Sequence, residues 1–189
     1  MTVLLSQAVE ELLSKPCRSK LRHLDTVYVK GSSVPQRIYT YDARFDGADF
    51  FLFERSPEQA DAEAENYSPA IWETDQDLRS MRQHVTDEFM TTFHAGVEKY
   101  LEGKWKEAEK LLRDADDLML LAVIEEGYVD YKADDLGGKV FDRSVDDDEV
   151  VRIRNEFGDG SSKNLVQYML RRKCVPPEGW HGVRALMSK

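Results

Sequence analysis

The chain has 189 residues, of which 41% are hydrophobic, and a formal net charge of −10 at pH 7. This length allows one domain, or one small domain with an extension, and the hydrophobic content is sufficient for a packed core. An acidic balance disfavours contact with a phosphate backbone, so we expect no nucleic-acid partner. The longest apolar run, residues 118–124, is far shorter than the roughly 18 residues of a membrane-spanning helix.

The N-terminal sequence lacks the basic segment and uninterrupted apolar stretch of a secretory signal. Cys17 and Cys174 lie far apart and have no histidine at metal-site spacing. We therefore expect free thiols in a reducing compartment, a cytoplasmic location, and a chain that does not itself span a membrane, although a parent protein could be membrane-anchored.

The first apolar segment is residues 3–13, with the sequence VLLSQAVEELL. Its apolar side chains recur at intervals of three and four, which predicts an amphipathic helix with Ser6 as a candidate N-cap. Two strand-like runs within residues 24–41 flank a loop that contains Lys30, Gly31 and Pro35. This pattern is typical of a β-hairpin.

Residues 44–69 read as an acidic linker, which is predicted to be exposed because it is rich in glutamate, aspartate and alanine. The linker contains DFFLF at positions 49–53. We interpret this run as a short apolar strand or a hydrophobic anchor.

Helical periodicity starts at Asp75 and continues to Leu101, which predicts one long amphipathic helix. Gly103 follows as a left-handed C-cap, and Trp105 begins a second helix that must run antiparallel to the first because the loop is short. This hairpin, about residues 76–117, resembles one tetratricopeptide unit. The sequence contains no second copy 34 residues away, so its predicted role is packing.

Acidic residues 146–149 are predicted to begin a further helix, where they suit the positive helix terminus. The sequence GDGSSK at 158–163 then predicts a turn, with Ser161 or Ser162 as the cap of an amphipathic helix. The apolar face assigned to that helix consists of Leu165, Val166, Met169 and Leu170. Pro176 and Pro177 stop it, and the following tail is predicted to dock through Trp180.

The predicted fold class is therefore α+β, mostly α: an N-terminal helix and β-hairpin, then a helical hairpin and further helices. We divide the chain into residues 1–43, the linker 44–69, and a helical part 70–189. The residues predicted to serve packing or interaction are Phe50, Phe51, Phe53, Trp72, Gly96, Gly103, Trp105, Ala108 and Trp180.

The hairpin carries D-x-V-x-V-K-G from Asp25 to Gly31, followed by P-x-x-I-Y from Pro35 to Tyr39. With Ser6, Leu21, Arg22 and Leu24, this pattern resembles the C-terminal end of a class III nucleotidyl cyclase domain, the fold shared by adenylyl and guanylyl cyclases.

Four later motifs are similar to the tail that follows cyclase domains in large membrane proteins of ciliates, algae and other protists. They are W-x-x-D-x-D-L at 72–78, Y-L-x-G-x-W-x-x-A at 100–108, D-G-x-S at 159–162, and P-P-x-x-W-x-G-x-R-x-L at 176–186.

The resemblance implies that the body of the cyclase domain is missing from this sequence. In that family two aspartates hold two metal ions for attack on the α-phosphate, and an asparagine and an arginine act on a later helix; none of those segments matches here. Only Lys30 corresponds to a position that holds the triphosphate, and the alternative for Lys30 is a solvated hairpin lysine. Mg²⁺ or Mn²⁺ and ATP or GTP are expected only for a complete cyclase.

Two functions follow as expectations. The first is a non-catalytic cyclase fragment that acts in regulation, dimer support or protein interaction, with a second cyclase half or a larger assembly as partner. The second is a free-standing scaffold subunit that reuses a cyclase remnant. A stand-alone enzyme is disfavoured, because His23, His84, His94 and His181 are scattered and no nucleophile motif is present, but enzyme status stays open.

Overall fold

In the computed structural model, residues 3–44, 56–58, 65, 68–129 and 138–186 are described. The strands are β1 (Val3–Ser6), β2 (Leu21–Tyr28), β3 (Gln36–Tyr41) and β4 (Arg184–Ala185). The helices are α1 (Gln7–Leu12), α2 (Lys15–Arg18), α3 (Ile71–Thr74), α4 (Gln76–Ser80), α5 (Asp87–Leu101), α6 (Trp105–Glu125), α7 (Asp148–Phe157) and α8 (Gly160–Leu170). The fold is α+β and mostly α, as predicted.

The strands form one sheet in the order β1-β3-β2-β4. Strand β3 is antiparallel to both β1 and β2, which confirms the predicted hairpin. The hairpin begins at Leu21, three residues earlier than predicted, and the β2–β3 register shifts between His23 and Asp25. Strand β4 pairs in parallel with β2, so the C-terminal segment returns to the N-terminal hairpin, a pairing that the sequence pattern did not predict.

The prediction of a helix over residues 3–13 is partly wrong, because Val3–Ser6 is strand β1 and only Gln7–Leu12 is helical. Val3–Ser6 pairs with the free side of β3, and this pairing rather than helical periodicity sets its conformation. Thr40 Oγ1 donates a hydrogen bond to the carbonyl of Val3 at 2.9 Å. Ser6 does precede the helix, but its side chain makes no capping hydrogen bond.

The predicted single helix over residues 75–101 is two helices, α4 and α5. The backbone N–H of Arg44 donates to the carbonyl of Met81 at 2.9 Å, which ties the interruption to the end of the hairpin. A new helix starts at Thr86, whose Oγ1 accepts from the N–H of Phe89 at 3.1 Å. The N-cap at Thr86 therefore begins a second helix, although the apolar periodicity of the sequence continues through this position.

Helices α5 and α6 pack as an antiparallel pair, and Gly103 in the connecting turn has φ +81°. Apolar side chains of both helices meet α7 and α8 in the main core, which is centred on fully buried Phe89, Phe93, Tyr100, Trp105, Leu112, Leu120, Val150, Ile153 and Met169. Helix α5 also contacts β2, so the sheet lies against this helical layer.

Helix α7 begins at Asp147, whose carboxylate accepts from the N–H groups of Glu149 and Val150; this confirms the acidic helix start. Helix α8 is capped by Asp159, which accepts from the N–H of Ser162 at 2.8 Å, so the prediction of a serine cap is wrong. Leu165, Val166 and Met169 are buried as predicted, whereas Leu170 is 43% exposed. Leu170 is in the last turn of α8, at the edge of the helix face that packs against the core.

Candidate ligand-binding cleft

A cleft of about 900 Å³ separates the sheet from the turn between α7 and α8. Its volume is typical of small-molecule sites, which also combine apolar walls with a few convergent polar groups. Side chains from β2, the end of β3, the start of α8 and the C-terminal segment all line it. The cleft therefore joins parts of the chain that are far apart in sequence.

Arg22 forms the charged floor of this cleft and is only 2% exposed. Its Nε and Nη2 donate to the two carboxylate oxygens of Asp42 at 2.8 and 2.7 Å. Its Nη1 and Nη2 donate to Asp159 at 3.0 and 2.9 Å. The guanidinium carbon also lies 4.9 and 4.2 Å from the ring centroids of Phe89 and Phe93. Because two carboxylates each hold this buried guanidinium through two hydrogen bonds, the role of Arg22 is structural.

Asp159 joins this floor to the helices. Burial opposes its charge, but Arg22 and the Ser162 N–H hold the pKa of Asp159 below its ordinary value. The backbone N–H of Asp159 donates to Asp116 Oδ1 at 2.7 Å, and Asp116 is in turn paired with Arg143 at 3.0 Å. One carboxylate thus caps α8, neutralises a strand residue and belongs to a network that reaches α6.

A second buried ion pair connects Asp25 on β2 to Arg184 on β4, with Arg184 Nη2 2.7 Å from Asp25 Oδ2. Burial raises the pKa of Asp25 to about 6 in spite of Arg184 and the Thr26 N–H. Arg184 Nε has no hydrogen-bond partner within the described residues. This pair attaches the C-terminal strand to the side of the cleft.

His84 lines the same cleft and is 3% exposed. Its Nδ1 has no hydrogen-bond partner in the described part of the chain. Burial, together with the guanidinium groups of Arg44, Arg82 and Arg22, lowers the pKa of His84 to about 4. The imidazole is therefore neutral at pH 7 and lies in a region of positive potential.

Of the residues predicted from sequence as functional, those that the structure describes do not line this cleft. Lys30 is exposed in the turn after β2. Trp72 on α3 lies edge-on to Tyr41, with ring centroids 5.7 Å apart. Phe50, Phe51 and Phe53 lie outside the described residues.

The other five predicted residues lie on α5 and α6, in the turn between them, and on the tail that packs against this turn. A Cβ on Gly96 would lie 2.9 Å from Leu112 Cγ, so glycine permits the close approach of the two helices. Trp105 and Ala108 are buried. The Nε1 groups of Trp105 and Trp180 both donate to the carbonyl of Tyr100, at 3.1 and 3.2 Å. A Cβ on Gly103 would lie 3.2 Å from Trp180 Cδ1, so the tail is docked on the helical turn.

Sequence reasoning missed Arg22, His84 and Asp159 as site residues. The available signal for Arg22 was a charged residue between Leu21 and Leu24, next to the strand-like run of the hairpin. The signal for Asp159 was an aspartate three residues before Ser162, a spacing typical of an N-cap. Neither signal identifies the partner of the charge, which comes from a distant segment.

Among the described residues, no group of three or more histidine, cysteine, aspartate or glutamate side chains is placed to hold a metal ion. Likewise, none of the helices in the described ranges combines the length and apolar character needed to cross a bilayer. Both cysteines are free thiols.

Comparison with known proteins found no matching family model, no matching curated protein and no matching solved structure. The functional argument therefore depends on the residues and geometry of this chain.

Proposed function

We propose that this chain is a non-catalytic segment of a class III nucleotidyl cyclase-like protein, acting in regulation or dimer support within cyclic-nucleotide signalling in the cytoplasm. Support comes from the sequence pattern across the β2–β3 hairpin, from Asp25 to Tyr39. The two strands pair antiparallel with the motif glycine, Gly31, in the intervening turn at φ +84°. Such a hairpin is what the resemblance implies for the end of a cyclase sheet.

The observation that carries an interaction role is the exposed apolar surface of β1 and α1. Val3, Leu4 and Leu12 are 50%, 66% and 87% exposed, and neither element contains a buried residue. An amphipathic segment that leaves its apolar side chains in water is typical of a surface that another protein covers. In this proposal the covering partner is the catalytic part of a cyclase.

Three measurements test this function. First, the purified chain with Mn²⁺ and ATP or GTP is expected to form no cyclic nucleotide, and clear turnover would contradict a non-catalytic role. Second, the gene is expected to continue upstream of Met1 into a reading frame that encodes the metal-binding aspartates. A stop codon directly upstream would overturn the fragment proposal.

The third measurement uses the protein that contains this segment together with its catalytic part. Leu12→Asp is expected to reduce cyclase activity, because it puts a charge on the proposed contact surface. Leu121→Asp is the matched control, since Leu121 is also exposed, at 42%, but lies on α6. Equal activity of the two variants would contradict a contact through α1.

A second candidate, a free-standing scaffold subunit, is favoured by a different observation. The buried charges of the hairpin, Arg22 and Asp25, find their partners Asp159 and Arg184 in the chain's own C-terminal part. The hairpin therefore needs no external cyclase body to complete its ion pairs. A stop codon upstream of Met1, together with a stable complex that lacks cyclase domains, would support this candidate.

A further inference from the structure

The C-terminal segment, residues 175–186, docks on the end of α5 and on β2, which are both distant from it in sequence. Trp180 Nε1 donates to the carbonyl of Tyr100 at 3.2 Å. Arg184 Nη2 on β4 lies 2.7 Å from Asp25 Oδ2 on β2. Both anchoring sites belong to elements that precede the segment, so the same segment from another copy of the chain would find the same partners there.

The turn that connects α8 to this segment has an unfavourable backbone conformation. The N–H of Val175 donates to the carbonyl of Arg172 at 3.0 Å, and the two residues between them, Lys173 and Cys174, both have φ +54°. Positive φ at both central positions is the pattern of a type I′ turn, in which glycine, asparagine and aspartate dominate. The left-handed conformation is costly for other residues that carry a Cβ. The docked segment is therefore joined to the rest of the chain through a strained turn.

The residues after this turn favour an extended connection. Pro176 and Pro177 fix their own φ at about −65°, and each proline disfavours the helical region for the residue before it. When the turn opens, the chain is therefore expected to extend rather than to form another tight turn. Opening relieves the left-handed conformation at Lys173 and Cys174, but it carries the segment away from its docking sites on the same chain.

We propose that two copies of this chain exchange their C-terminal segments and form a two-fold symmetric dimer. Each segment docks on the other copy through the same hydrogen bonds, strand pairing and ion pair that it makes in the monomer. The two forms differ mainly at the hinge, residues 172–177, where the dimer replaces a strained turn by an extended connection. Short hinge loops under strain favour such an exchange, which is a low-cost route to dimers.

The exchange makes the cleft a site shared between two copies. Arg184 and Leu186 line the cleft, and in the dimer their places are taken by the partner's Arg184 and the partner's Leu186. The proposal goes beyond the proposed function and does not depend on any relationship to cyclases, because it uses only the segment, its hinge and its docking sites.

The first test determines the mass of the native chain in solution. The purified chain is concentrated to the millimolar range, or refolded from urea at that concentration, and analysed by size-exclusion chromatography with light scattering. A monomer and a dimer are expected, and the dimer is expected to persist on dilution, because each segment must undock before the two chains separate. A monomer alone under both conditions would overturn the proposal.

A pair of introduced cysteines distinguishes an exchange from a dimer formed through any other surface. Tyr28 and Ala185 are partners in the pairing of β2 with β4, so Tyr28→Cys/Ala185→Cys places two thiols across that pairing. After oxidation, the isolated monomer is expected to contain the 28–185 disulfide within one chain, and the isolated dimer is expected to contain it between two chains. Non-reducing electrophoresis and peptide mass spectrometry identify the linkage, with the native chain, which carries only Cys17 and Cys174, as the control. A 28–185 disulfide within single chains of the dimer would overturn the exchange.

A matched pair of hinge variants tests the role of the strained turn. Lys173→Gly replaces an exposed residue at φ +54° by glycine, which adopts this conformation without steric cost. Since each dimer contains two hinges, the variant is expected to lower the association constant of the dimer about tenfold or more. Arg171→Gly is the control, because Arg171 is also exposed but has φ −56°, and it is expected to leave the association constant unchanged. Equal association constants for the two variants would contradict hinge strain as the cause of the exchange.

Discussion

The guanidinium of Arg22 holds the carboxylate of Asp159 through two hydrogen bonds of 3.0 and 2.9 Å across 137 positions of sequence. The first residue belongs to β2 and the second caps α8. The contact therefore joins the N-terminal hairpin to the C-terminal helices at a fully desolvated point.

Replacing Asp159 by alanine is expected to destabilise the protein by about 3 to 5 kcal/mol, because it leaves the charge of Arg22 under-compensated in the interior and removes the cap of α8. Urea unfolding followed by circular dichroism measures the change. Arg152→Ala breaks two exposed ion pairs on α7 and is the control, with no measurable change expected. A similar, small effect of both substitutions would show that the buried pair is unimportant.

Gly96→Val is expected to destabilise the α5–α6 pair by about 1 to 3 kcal/mol, because the added side chain overlaps Leu112. Gly138→Val is the matched control, since a Cβ there meets no atom within 4 Å. Thermal unfolding compares the two variants. An unchanged melting temperature for Gly96→Val would mean that the helices separate without cost.

Two buried groups are expected to give opposite pH dependences of stability. The folded-state pKa of His84, about 4, lies below its ordinary 6.5, so unfolding takes up a proton and stability falls as pH drops from 6.5 towards 4. The folded-state pKa of Asp25, about 6, lies above its ordinary 3.8. Folding therefore takes up a proton there, and stability rises as pH drops from 6 towards 4. Each effect amounts to about 2 to 3 kcal/mol.

Single variants separate these two effects. The unfolding free energy at pH 4.5 minus that at pH 7 is expected to become more positive in His84→Gln and more negative in Asp25→Asn. Urea titrations at the two pH values give this difference for each variant and for the native chain. A change of the same sign in both variants would contradict the assignment.

Trp180→Ala is expected to release the C-terminal segment from the α5–α6 turn. The substitution removes hydrogen bonds from Nε1 to the carbonyls of Tyr100 and Leu101 and an edge contact with Trp105, at a cost of roughly 3 kcal/mol. Limited trypsin digestion is expected to cleave faster after Arg184 or Lys173. Trp72→Ala, which changes a half-buried tryptophan on α3, is the control and should leave those cleavage rates unaltered.

The pattern of the sequence was sufficient for the hairpin and for the α5–α6 turn at Gly103, because turn glycines and apolar periodicity act within a few residues. It also indicated that the tail docks through Trp180, but not that the contact is with Tyr100 and Leu101, about 80 positions earlier. The strand at Val3–Ser6 could not be predicted in this way, since its conformation depends on the free side of β3.

The cleft also could not be predicted from the local sequence pattern. In the sequence Arg22 is only one residue of the hairpin pattern until Asp159 is known to lie beside it, and His84 is only one of four scattered histidines. The interruption between α4 and α5 depends on the backbone of Arg44, which reaches Met81 from the preceding segment. Pairings over such separations are set by the whole fold.

The Arg22–Asp159 contact also orders events during synthesis. The ribosome releases the hairpin long before it makes Asp159, so the buried arginine has no helical counter-ion while most of the polypeptide is being translated. The sheet can reach its final packing only when nearly all of the chain has emerged. Premature termination before residue 159 is therefore expected to yield nascent chains that depend on chaperones rather than a smaller stable domain.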